Sequence, residues 1–138
     1  MLSIHFGSVL LAAVVSFILG FMFHGPISGK LWMKLANIHP TGNEKFKDMI
    51  PQMFWNLVVN IVTAYILAMF IFTTASYYNT LGNVVGGMGI AFWAWLGFIV
   101  TSTSIDVIWM GKSKKLWLFE AVSSLICFLA MGAIIAFW

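Results

Sequence analysis

The sequence predicts an all-α integral membrane protein. Four transmembrane helices are expected, with both termini on the outer side and a short amphipathic interfacial helix after the first span. Three observations carry this. Of 138 residues, 62% are hydrophobic and only 8% charged, where soluble domains carry roughly a quarter charged. The apolar residues gather into four runs, each long enough for a hydrocarbon core of about 30 Å, which takes roughly 20 helical residues. The seven lysines all fall in two short loops between those runs, and there is no arginine. A single membrane domain over 1–138 follows, with no soluble catalytic domain left over.

The first run, 4–23, is free of charge. No lysine or arginine precedes it and no small-x-small cleavage site follows, so it is expected as a retained helix and not a signal peptide. It carries Ser8, Ala12, Ser16 and Gly20, a small residue at every fourth position, which lets helix backbones approach closely. The partner on that face is either the protein's own bundle or another chain. Gly25-Pro26 then stops the helix, because proline cannot continue the hydrogen-bond ladder and restricts the residue before it. Over 27–37, Ile27, Leu31 and Leu35 recur at helical spacing with Lys30 and Lys34 on another face. This is the pattern of a helix lying along the membrane surface, with Trp32 at headgroup level. The Gly-Lys pair in HGPISGK is not a phosphate loop, which needs four residues between its glycines and a hydroxyl residue after the lysine.

Thr41 and Glu44 have capping-box spacing ahead of the second run, which covers 51–76. YYNTLGN (77–83) is a charge-free turn leading to the third run, 84–110. Residues 111–115 join it tightly to the fourth, 116–138. Because short positively charged loops stay cytoplasmic, the lysine loops are expected inside and both termini outside. Trp32, Trp55, Trp109 and Trp117 fall at the inner ends and Tyr77, Tyr78 and Trp138 at the outer ends, as an aromatic belt requires.

FMFHGPISGKLWMKL (21–35), WLGF (95–98) and LICFLAMGAIIAFW (125–138) resemble the small bacterial membrane proteins grouped as domain of unknown function 1761, over essentially the whole chain. Pro26, Gly29, Lys30, Trp32, Trp95, Gly97 and Gly132 match that pattern. Phe23 and His24 replace its usual Trp-Tyr pair, and Glu120 stands where Asn or Asp is expected. The resemblance implies a four-helix protein of a bacterial inner (plasma) membrane and carries no activity with it.

Ionisable residues within spanning segments are costly and raise a functional question. His24, Asp106 and Glu120 fall at similar depth, about a turn inside the inner interface by the 1.5 Å rise per residue. Two readings stand. They form a cation or proton site, or the carboxylates pair with Lys30, Lys34 or Lys112 and pin the hairpin. Gln52, Asn56 and Asn60 make a polar stripe on the second span, and Glu120, Ser123, Ser124 and Cys127 another on the fourth. Facing each other, they would form a crevice open to the inner side, or simply hold the helices together by hydrogen bonds. Cys127 is expected as an inert packing residue.

No catalytic triad, zinc spacing or nucleotide motif is present in the sequence, so no enzyme, metal or cofactor is expected. Nor is nucleic acid, since the lysines are not gathered on one solvent face. The expected partners are the lipid bilayer and either further copies of the chain or a larger membrane complex. The expected function is a structural or accessory membrane subunit. The alternative is an oligomeric transporter or channel for a cation, proton or small solute.

Overall fold

The computed structural model describes residues 4–39, 42, 45–79 and 82–138. Among them the order is α1 (Phe6–His24), α2 (Gly29–Leu35), α3 (Phe46–Tyr78), α4 (Val84–Ala94), a π-helical segment (Trp95–Val100), α5 (Thr101–Trp109) and α6 (Lys114–Phe137). The segments from Val84 to Trp109 run on as one span, so four helices are long and apolar enough to cross a membrane. The expected capping box of Thr41 and Glu44 lies outside the described residues.

The break at Pro26 falls where the sequence puts it. The Ile27 N–H donates to the Met22 carbonyl at 3.0 Å, and the Gly29 N–H to the Gly25 carbonyl at 2.9 Å, so the chain turns and restarts as α2. That helix is shorter than the expected 27–37.

The second span is longer than 51–76. Pro51 lies inside its second turn and forgoes one backbone hydrogen bond without ending the helix. Tyr77 and Tyr78 form the last turn instead of a loop, and Asn79 closes it in the left-handed conformation at φ 55°. At 33 residues, α3 is about 50 Å long and outruns a core of about 30 Å, which calls for tilt or protruding ends. At the other hairpin Gly111 sits at φ +69°, a conformation glycine adopts without steric penalty, while Met110 and Lys112 N–H groups donate to the Asp106 carbonyl.

Packing is uneven along the bundle. α6 lies against both α1 and α4, and α1 also packs on α3, whereas α3 meets α4 and α6 more sparingly. The core consists mostly of small residues: Ala12 and Ala13 of α1, Ala64 and Ala68 of α3, Ala91 of α4 and Ala136 of α6, filled out by Val9, Leu67, Ile71, Met131 and Ile135. All belong to the end of the bundle that holds the termini. Towards the lysine loops the helices separate: neither the π segment nor α5 has a buried residue, and the buried residues of α3 begin only at Ala64.

The tightest contact joins α4 to α6. A Cβ on Gly87 would lie 2.3 Å from the Ala136 Cβ, and one on Gly132 would lie 2.7 Å from both the Ala91 Cβ and the Gly87 carbonyl oxygen. The two helices therefore touch through Gly-x-x-x-Ala on each side, the small-residue arrangement that permits close backbone approach.

Candidate functional site

Where the helices separate they leave a crevice of about 720 Å³ between α1, α3 and α6. α3 contributes Gln52, Asn56 and Asn60, and α6 contributes Glu120, Ser123, Ser124 and Cys127. The two polar stripes thus line one space. α1 supplies Ser16, Gly20 and His24.

A chain of hydrogen bonds runs up its wall. The Asn60 amide donates to the Asn56 backbone carbonyl at 2.8 Å and to its side-chain oxygen at 3.1 Å, and the Ser16 hydroxyl donates to the Asn60 side-chain oxygen at 2.6 Å. Asn60 thereby ties α3 to α1. Beside it the buried Cys127 points its Sγ at the Ser16 carbonyl, 3.8 Å away. Ser8, Ala12 and Ser16 are all buried, so the small-residue face of α1 is used within the protein's own bundle.

At the lysine end, Glu120 is ion-paired with Lys112, both side chains remaining partly exposed. His24 places Nδ1 2.8 Å from the Gly20 carbonyl. Its ring meets Trp32 edge-on at 4.9 Å and Phe119 at 5.9 Å, so α2 is folded back beside the crevice mouth. Lys30 and Lys34 are exposed on α2, and Gly29 is buried where a Cβ would come within 3.0 Å of the His24 carbonyl oxygen.

Asp106 is not part of this arrangement. It is exposed on α5 and lines neither the crevice nor the cleft beside it. The convergence of His24, Asp106 and Glu120 is therefore reduced to His24 and Glu120. No group of three metal-ligating side chains occurs among the described residues.

An apolar cleft of about 410 Å³ adjoins the crevice between α3 and the π segment, lined by Ile66, Phe70, Phe98 and Ile99 among others. Thr63 and Phe128 line both spaces. The hydroxyl of Thr63 donates to the Val59 carbonyl at 2.9 Å, so it presents little unsatisfied polarity at the junction.

A family model described as Protein of unknown function (DUF1761) matches residues 8–136. The chain belongs to that family. Neither curated proteins nor solved structures give a match. In this DUF1761 chain the residues that carry the resemblance occupy structural joints. Pro26, Gly29, Lys30 and Trp32 build the α1–α2 turn and α2 itself, Trp95 and Gly97 lie in the π segment, and Gly132 lies at the close approach to α4.

Three features were missed in the sequence. Trp95 opens the π segment and donates from Nε1 to the Ala121 carbonyl at 3.1 Å and the Ser124 hydroxyl at 2.9 Å, fixing the third span to α6 behind the crevice. No sequence signal marks a π turn, although such turns recur at functional sites. The Gly87–Gly132 contact was readable from its Gly-x-x-x-Ala spacing on both helices. The apolar cleft had no signal, since its walls are apolar residues of the kind found on any face of a spanning helix. The hydroxyl run 101–104 is turned back on its own helix, Thr101 donating to Gly97 and Thr103 to Ile99, a common resolution for hydroxyls within helices.

Proposed function

We propose that the protein is a non-enzymatic structural or accessory subunit of the membrane, associating with copies of itself or with a larger membrane complex. The supporting observation is the contrast between the two ends of the bundle. Gln52, Asn56 and Asn60 lie on the part of α3 that buries nothing, and Asp106 lies exposed on α5. Asn60 already has partners in Asn56 and Ser16, whereas the Asp106 side chain has none among the described residues; such a group near hydrocarbon is costly, and an associating chain would supply its partner. Catalysis has no role in this reading. Glu120 is engaged by Lys112, and Asp106 stands apart from His24.

In this proposal both termini face outward from a bacterial inner membrane and the two lysine loops face the cytoplasm, on the seven-to-zero distribution of lysine. Purification in mild detergent, with the mass of the intact particle measured, tests the association. Foreign chains in fixed stoichiometry support the accessory role, and a bare monomer refutes association.

The facing polar stripes favour a second reading, an oligomeric carrier of a cation, proton or small solute. The crevice closes against the core around Ala64, Leu67 and Met131, so one protomer offers a one-ended cleft and an oligomer would have to complete the path. A homo-oligomer whose reconstituted vesicles show solute flux, lost in Asn60→Leu, would support it over the first.

A further inference from the structure

We infer that the crevice and the adjoining apolar cleft together hold one acidic phospholipid, its headgroup at the lysine-end mouth and one acyl chain ending in the cleft. The inference stands whether or not the subunit reading holds. It rests on a change of chemistry between two adjoining spaces. The mouth is polar, the cleft is apolar, and Thr63 and Phe128 belong to both.

The length fits. From Gln52 to Thr63 the lining covers about 16 Å along α3, the depth of one leaflet in a core of about 30 Å. A chain entering at the headgroup level therefore reaches the junction with its methyl end, and the cleft receives that end.

The head chemistry fits as well. Among the described residues Gln52 makes no side-chain hydrogen bond and the Asn56 amide nitrogen donates to nothing, so both can donate to phosphate or glycerol oxygens. Glu120 does not repel an anion as a lone carboxylate would, because Lys112 neutralises it. Lys30 and Lys34 are exposed on α2, which borders the mouth through the Trp32 ring against His24. Lys47 lies in the first turn of α3, at the same end of the chain's helices as the mouth. A rim of this sign selects an acidic headgroup over a zwitterionic one, and each lysine near such a head contributes about fivefold in affinity.

The test uses the full chain, delipidated in mild detergent and titrated with phosphatidylglycerol or phosphatidylcholine, bound lipid being counted by native mass spectrometry. One phosphatidylglycerol per chain is expected, preferred by about thirtyfold as two lysines would give. Lys30→Gln combined with Lys34→Gln should lower that preference by about the same factor. Thr63→Phe should close the junction, and displacing about three methylenes from the cleft should weaken retention of either lipid about fiftyfold. Should Thr63→Phe fail to fold, Ile66→Trp blocks the cleft from a partly exposed position and carries the same expectation. Equal retention of the two lipids by the unaltered protein overturns the inference. So does undiminished retention in the blocking variants, or a foreign chain whose presence in the crevice excludes lipid.

Discussion

Gly132→Ala is the sharpest test of how the bundle is held. The added methyl would lie 2.7 Å from the Ala91 Cβ, 2.7 Å from the Gly87 carbonyl oxygen and 3.1 Å from the Gly87 carbonyl carbon. Two of those neighbours are backbone and cannot rotate away, so α4 and α6 must part by roughly 1 Å to restore ordinary contact distances. Overpacking of that kind costs about 1–3 kcal/mol. Against it stands the gain of about 1 kcal/mol for alanine over glycine inside a helix. The expected net is a loss of up to about 2 kcal/mol, which on soluble-domain scaling lowers Tm by up to about 8 °C. Gly20→Ala provides the internal control. A Cβ there meets nothing within 4 Å, so only the helix term remains and Tm should rise by up to about 4 °C. Thermal unfolding in one detergent, followed by near-ultraviolet circular dichroism, reads both. The reasoning fails if the two variants shift Tm in the same direction.

Other expectations follow from the same geometry. Glu120→Gln leaves Lys112 unpaired at a partly exposed site, so stability should fall by about 1–3 kcal/mol, between the costs for exposed and buried pairs; adding Lys112→Gln should recover part of the loss, and no recovery would show that the pair is not coupled. Asn60→Leu removes the link from α3 to the Ser16 hydroxyl and should cost about 0.6–2 kcal/mol in chemical unfolding, the range for interhelical hydrogen bonds in membranes. For Trp95→Phe the two hydrogen bonds to α6 disappear, and a loss of about 1–2 kcal/mol is expected, with a Tm equal to that of the unaltered protein as the contrary result. A reporter active only in the cytoplasm should be silent when fused after Trp138 and active when inserted at Ser113; the opposite pattern would reverse the proposed topology.

What the sequence made legible was depth, and what it hid was direction around the helix axis. The four spans and the stop at Pro26 follow from run length and summed rises of 1.5 Å, to which local irregularities add little. Azimuth depends on accumulated twist. Gln52, Asn56 and Asn60 keep their common face because α3 is regular between them, and they meet the α6 stripe as the spacing implies. Asp106 lies beyond the π segment at Trp95–Val100, whose wider turns change the direction in which every later side chain points. It stands outside the crevice that Glu120 lines. The small-residue face of α1 was legible as a packing surface but not as to partner, since alanine and serine accept any close backbone; Cys127 and Asn60 of the same chain occupy it.

The glycine contact between α4 and α6 also has a mechanical side. Because Gly87 and Gly132 touch near the terminal end, and Trp95 and Thr103 are hydrogen-bonded to α6 further along, the third span and α6 can swing together against α3 as one arm. The arm from Gly87 to Trp109 is about 33 Å long, so a swing of about 5° carries its tip about 3 Å, comparable to the thickness of a methylene chain. Small angular play of that arm would therefore widen or narrow the gap between the third span and α3 enough to admit or pinch an acyl chain. Helix–helix leverage of this kind needs no hinge residue within the span itself.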